Sequence, residues 1–268
     1  MNHEVVRTRK GHVAMRSLDA SEVMHPGVGP LKEAEQLYVR QSRLAERLCH
    51  TNGRNLVLFD VGMGAGSNAV AARAESERAP VGAARLELVS FERDLGALAL
   101  ALVHPSDFAL DGESGEAARA LLAHGSHETA RTCWRLHHGD VLEALARETC
   151  LADIVFWDPF SPKTNPDLWT IAAFSALRRV AQAHCTLFTY SASTAVRVAL
   201  LLAGFAVGVG ESTGEKIATT AAAVDPTDLA RPLERSWLAR LSRADVPLPS
   251  DSPADFVARI SALQQFCT

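Results

Sequence analysis

Cysteine is scarce and unpatterned in this chain: Cys49, Cys133, Cys150, Cys185 and Cys267 stand far apart, with no C-x-x-C pair and no Cys/His ligand spacing. That excludes a disulfide framework and a zinc site as organising devices, and implies reduced thiols in a reducing cytoplasm. Long apolar runs are missing as well. Arg7, Arg9, Lys10 and Arg16 are not followed by the apolar block of a secretory signal, and no later run is long enough to cross a bilayer, so a cytoplasmic location is expected. Positive charge is not in excess either. A formal charge of −4 denies the molecule the field of a dedicated nucleic-acid binder, so any RNA contact would rest on a local basic patch. Internal repeats and low-complexity tracts are also lacking.

What remains is a chain of 268 residues, 47% hydrophobic and 22% charged, enough to bury one full core. Residues 31–50 put Ala34, Leu37, Tyr38, Gln41, Leu44, Ala45 and Leu48 on one helical face, behind a Gly27-Val28-Gly29-Pro30 breaker that suits a helix start. Apolar β-rich runs at 56–61, 86–91, 131–137, 152–157 and 185–190 then alternate with helical patterns, which implies a parallel sheet covered on both faces. Two further runs, 205–210 and 217–223, are joined by a link too short for a crossover helix, so they should pair antiparallel. The expectation is an α/β Rossmann-like methyltransferase sheet of about seven strands, mostly parallel, with a C-terminal hairpin at its edge. Residues 1–50 read as an N-terminal extension and helix, 51–224 as the main domain and 225–268 as a helical extension of it.

The stretch "FDVGMGAGSN" decides which ligand the first turn suits. A nicotinamide fingerprint needs a third glycine where Ser67 stands, so that reading fails on spacing. Asp60 followed by Gly62, Gly64 and Gly66 is instead the pattern of S-adenosylmethionine (SAM) enzymes, where the backbone passes close to the ligand and Asp60 can attract its ammonium group. Glu92, ending "LELVSFE", is placed to accept the ribose hydroxyls, and Asp140 in "HHGD" to accept from the adenine amine. After the fourth strand comes "DPFSPKTNP", where Asp158 is the candidate catalytic carboxylate, able to hydrogen-bond an acceptor amine, aim its lone pair and take its proton. Phe160, Lys163 and Asn165 of this loop, with Lys216 further on, are candidate substrate contacts. Trp157, Phe160 and Trp169 could stack on a base or pack in the core, and His137-His138 reads as structural or exposed. No metal is called for.

Together "GPLKEAEQLYV", "DVGMGAGSN", "SFERD", "DPFSPKTNPDLWT", "LFTYSAS", the "AGF" before the hairpin and Gly214-Glu215-Lys216 resemble the MnmC-type methyltransferase family, over roughly residues 20–223. The resemblance implies methylation of the aminomethyl group of 5-aminomethyl-2-thiouridine at the tRNA wobble position. It matches Asp158 to the family's catalytic carboxylate, Asn68 to the asparagine closing its glycine motif and Glu92 to its ribose acid. Asp60 and Pro159 stand where the family often has Glu and Gly. Bifunctional members continue into a flavin-dependent oxidase beyond the matched region, so no oxidative step is expected here, and a separate oxidoreductase would act upstream. The alternatives are methylation or aminopropylation of a small amine, or a non-catalytic SAM- or tRNA-binding partner.

Overall fold

The computed structural model describes residues 2–24, 29–50, 53–212, 218–243 and 247–267. The substrate contact expected at Lys216 lies outside these residues. The first three strands, β1 (His3–Arg7), β2 (Val13–Ser17) and β3 (Glu22–Val23), form a small antiparallel sheet in that order. Eight more build the main sheet: β4 (Leu56–Val61), β5 (Leu86–Glu92), β6 (Ser126–Glu128), β7 (Thr132–His138), β8 (Ala152–Trp157), β9 (Ala181–Thr189), β10 (Ala206–Gly210) and β11 (Thr219–Ala223). Their order is β10-β11-β9-β8-β4-β5-β7-β6. The five strands from β9 to β7 are parallel, whereas β11 lies antiparallel between β9 and β10. The expected edge hairpin is therefore present. The short edge strand β6, antiparallel to β7, was not foreseen because it is brief and polar, and the separate N-terminal sheet was not foreseen because its strands are short.

Side-chain alternation explains why β4 and β8 sit at the centre. Every residue of either strand is buried, with Val57, Phe59, Val61, Val155 and Trp157 on one face and Leu56, Leu58, Ile154 and Phe156 on the other. The first face is covered by α6 (Val141–Arg147), α7 (Ile171–Arg179), α8 (Thr194–Leu202) and the C-terminal segment, which contributes Trp237, Phe266 and Ile260 of α9 (Phe256–Ser261). The second is covered by α1 (Pro30–Ala34), α2 (Leu44–Cys49), α3 (Ser67–Glu77), α4 (Gly96–Ala101) and α5 (Gly112–His124). The C-terminal segment also caps α7, since the Asp251 carboxylate accepts from the Ile171 and Ala172 amides at 3.1 and 2.8 Å. Among the described residues, no helix is long and apolar enough to cross a membrane.

The single helix expected over 31–50 is broken. A π-helical turn spans Glu35–Arg40 and Arg43 is left-handed at φ 55, with the Gln41 amide and Ser42 hydroxyl bonding back to the Leu37 and Val39 carbonyls. These polar side chains compete for the helical acceptors. The break keeps Leu37, Tyr38, Leu44 and Leu48 inward while turning Ala45 out to solvent.

Since β4 leads to β5 on one side and the chain returns to β8 on the other, the sheet's switch in strand order lies between β4 and β8. Ligands of open α/β sheets bind in that crevice, at the carboxyl ends of the strands. At the opposite end, Asp153 of β8 accepts from the Val57 amide at 2.9 Å and from both Arg54 terminal nitrogens at 2.8 and 2.5 Å, locking the two central strands together. Arg54 is half-exposed, which weakens the ion pair. Asp153→Asn is expected to lower stability by about 1–3 kcal/mol, toward the lower end, seen as a reduced urea midpoint at unchanged slope. An unshifted midpoint would mean that the pair contributes nothing to stability.

Candidate functional site

The turn after β4 carries three left-handed glycines, Gly62, Gly64 and Gly66, at φ 83, 55 and 88. Gly62 is the most constrained. A Cβ there would stand 2.7 Å from the Pro159 nitrogen and Cα and 2.8 Å from the Asp158 carbonyl carbon, so the turns after β4 and β8 touch backbone to backbone. The Asp158 amide donates to the Val61 carbonyl at 2.8 Å, and Asn68 at the start of α3 donates its side-chain N–H to the Asp158 carboxylate at 2.7 Å. Asn68 is buried and turned toward Asp158 rather than toward a ligand space. In this position it holds the catalytic candidate.

Asp60 is also braced from within the protein. Strand alternation points it away from the Phe59 and Val61 face, and it is fully buried with its carboxylate accepting from the Ser90 hydroxyl at 2.8 Å. Ser90 in turn accepts from the Trp134 indole at 3.0 Å, so Asp60 knits β4 to β5 and β7 behind the turn. Gly66 also stays off the cavity wall, where a Cβ would press the Leu98 side chain at 3.2 Å.

Glu92 and Asp140 do reach the cavity wall. Glu92 accepts from the Gly64 amide at 2.8 Å and from the Arg93 and Asp94 amides at 2.8 and 2.9 Å, tying the first turn to the second. A carboxylate has about four lone-pair sites, so roughly one stays available for a ribose hydroxyl. Asp140 is the N-cap of α6, and both its bonds, from the Leu142 and Glu143 amides, fall on Oδ1.

The loop after β8 is fixed at nearly every residue. Beyond Asp158, the Pro159 carbonyl accepts from the Tyr190 hydroxyl at 3.1 Å and the Phe160 carbonyl from the Trp169 indole at 2.9 Å. Trp157 and Trp169 are buried in the core, while Phe160 and Asn165 line the cavity. Lys163 is exposed and off the wall. From the N-terminal sheet, Glu22 accepts from the Ser161 amide at 3.2 Å and from the Ser161 and Thr164 hydroxyls. Burial alone would raise the Glu22 carboxyl, but these hydrogen bonds and the Lys163 charge outweigh it and hold the group below its ordinary value.

The cavity these loops enclose is about 560 Å³, within the range of roughly 300–1,000 Å³ usual for small-molecule sites. Its wall is rich in carboxylates: Asp19, Glu22, Glu33, Asp94 and Asp167 join Glu92, Asp140 and Asp158, against the guanidinium of Arg93. Residues from β1 to α1 were not assigned to the site from sequence, nor was Tyr190. Tyr38 and Tyr190 both sit near Asp158. Burial first, then the charge of Asp158, raises both phenols, so they stay neutral donors. His137 stacks on Phe91 and pairs with Glu148 at 2.9 Å, a structural placement. Among the described residues no group of His, Cys, Asp and Glu is arranged to hold a metal ion.

A family model described as S-adenosyl-L-methionine-dependent methyltransferase matches residues 118–225. The tRNA 5-methylaminomethyl-2-thiouridine biosynthesis bifunctional protein MnmC of Azoarcus sp. is 34% identical over 203 residues, 73% of this chain and 32% of the relative. Its namesake in Ralstonia nicotianae is 32% identical over 234 residues, 85% of this chain and 34% of the relative. The chain thus spans about a third of the length of the curated relatives it matches. Among solved structures, MnmC2 from Aquifex aeolicus superposes with a TM-score of 0.73 at 24% identity, covering 97% of this chain and 84% of that one. A spermidine synthase in complex with the transition state analogue AdoDATO superposes with a TM-score of 0.50 at 13% identity, covering 97% and 81%. Both structural likenesses bear on the fold alone.

Gly62→Ala is expected to lower the melting temperature more than Gly204→Ala. Both positions have positive φ, but a Cβ at Gly204 meets nothing within 4 Å. Equal losses would show that the contact between the loops is soft. Glu22→Ala should accelerate amide hydrogen exchange over residues 161–165. Because Glu22 is held below its ordinary value, its stabilisation is complete above that value, about 4.3, and is lost as pH falls through the lower folded one. The latch in the unmodified protein should therefore persist at pH 5; faster exchange of the loop already at pH 5 than at pH 7, after correction for intrinsic rates, would contradict it.

Proposed function

The chain belongs to the MnmC-type methyltransferase family, and from that premise we propose that it is a SAM-dependent N-methyltransferase whose favoured acceptor is the aminomethyl group of 5-aminomethyl-2-thiouridine at the tRNA wobble position. The observation that carries this reading is the placement of Asp158. It stands at the switch in strand order, on the wall of the same cavity as the Gly62–Gly64 turn, Glu92 and Asp140. Those residues fit SAM by their chemistry: a close-approach glycine backbone with carboxylates at the ends of the next two strands in order. When bound there, SAM supplies an electrophilic methyl group.

The residues of the chain would orient the acceptor and remove its proton. An alkylammonium resembles lysine, with an ordinary pKa of about 10.4, so the acceptor arrives charged and has no lone pair to offer. Asp158 accepts that proton and, held by Asn68 on one oxygen and by the Val61 carbonyl at its amide, keeps the amine aimed. Phe160 offers a face for a planar base and Asn165 an amide for its edge. In this reading residues 51–224 perform catalysis in the cytoplasm, 1–50 add part of the cavity wall, and 225–268 cover the far face of the sheet.

A second reading, transfer to a small aliphatic amine, draws on one observation: the acidic cavity wall suits a polycation as well as a nucleoside amine. Single-turnover transfer from labelled SAM separates the two. Label is expected on the wobble uridine of tRNA from cells lacking the modification, with Asp158→Ala slower by about 10²–10⁴-fold at retained SAM binding. Label on 1,4-diaminobutane but not on tRNA would replace the favoured acceptor. No transfer to any amine, with SAM bound, would sink both readings.

A further inference from the structure

The mechanism above uses one carboxylate, yet a second reaches the same part of the cavity. Glu33 lies on α1, is 5% exposed, and lines the cavity together with Asp158, Phe160 and Tyr190. It comes from the opposite side of the sequence, within a segment anchored by Tyr38 packing its ring on Phe156 of β8 at 5.2 Å. Both carboxylates line the one cavity, and the charges of both raise the phenols of Tyr38 and Tyr190, less than burial does. On this side Tyr38 is fully buried and Glu33 nearly so.

Two carboxylates on the wall of one cavity repel each other, and a cation bound in that cavity offsets the repulsion. A neutral hydroxyl or ring nitrogen does not. The proposed reaction also needs the acceptor to enter as an ammonium and leave its proton behind; the carboxylate that takes this proton is neutral when methyl transfer returns a positive charge to the nitrogen, so a second carboxylate is needed to keep that charge compensated. We propose that Glu33 is the specificity-determining residue of the acceptor site: it supplies the counter-charge that binds the primary ammonium group, leaving Asp158 to take the proton. The proton moves from the nitrogen to the Asp158 carboxylate, and the Glu33 carboxylate takes no part in that transfer. Tyr190, held as a neutral phenol, lines the cavity without adding charge to it, and Tyr38 lies buried near Asp158.

This inference rests on the amine acceptor of the proposed function but not on which molecule carries the amine. Its test uses the chain loaded with S-adenosylhomocysteine and three probes measured by calorimetry: 5-aminomethyluridine, its neutral analogue 5-hydroxymethyluridine, and 1,4-diaminobutane. The wild type should prefer an amine probe over the hydroxymethyl analogue, and Glu33→Gln should lose about tenfold or more of that preference at unchanged S-adenosylhomocysteine affinity. Glu33→Asp should restore part of it, which a merely structural role would not predict. The probe that binds identifies the source of the ammonium. In turnover, Glu33→Gln should raise KM with a smaller effect on kcat, the reverse of Asp158→Asn. Equal binding of amine and neutral probes by the wild type, or an unchanged preference in Glu33→Gln, overturns the role of Glu33 whatever the acceptor proves to be. Absence of methylation of tRNA alongside a Glu33-dependent amine preference would instead count against tRNA and leave the ammonium site standing.

Discussion

The contact between Gly62 and the backbone of Asp158 and Pro159 is the constraint on which the site depends. Two parallel strands leave the sheet side by side, and their following turns must diverge to cover opposite faces, yet here they meet within van der Waals distance before parting. Only a residue without a Cβ, in a left-handed conformation, permits that approach. Once the two turns touch, Asn68 at the start of one is within reach of Asp158 at the start of the other, and a single hydrogen bond couples the glycine turn to the catalytic candidate. Glu92 then ties the same turn to the next strand through the Gly64 amide. The polar groups of the site thus hold one another through buried or half-buried bonds, which gives them fixed directions before any ligand enters.

The N-terminal sheet adds the other wall. It is small, with few apolar residues of its own, and is held to the body by packing of Met15 against the second core face and by Glu22, whose bonds to Ser161 and Thr164 clamp the loop after β8. That clamp joins elements more than a hundred residues apart in sequence. Together with α1 it brings Asp19, Glu22 and Glu33 to a cavity wall that already carries five carboxylates, and so adds to a surface that favours positive charge. The acceptor chemistry is therefore written in the added wall as much as in the parallel sheet.

Much of the framework was legible. Five parallel strands, their order of appearance and the closing hairpin followed from apolar runs and the lengths between them, since burial on both faces forces continuous apolar strands. What was not legible has specific causes. Motif position drew attention to Asp60 and Asn68, but strand alternation and helix phase set their directions, and both are buried with partners inside the protein. The helix over 31–50 was read from its apolar period, which survives the break in the backbone that polar side chains impose. Glu33 and Tyr190 gave no local signal of function. Yet the chain has only two tyrosines, and both come to rest beside Asp158.

By itself, then, the sequence determined the class of sheet, the glycine turn that cannot serve a nicotinamide cofactor, and the carboxylates at strand ends, because each depends on spacing within one short segment. Tertiary structure alone decided which of those carboxylates face the cavity and which brace it. It also decided that an N-terminal glutamate latches the loop after β8 and that Glu33 lines the same cavity as Asp158. These are contacts between distant segments, fixed by how helices and sheets pack, and no local periodicity encodes them.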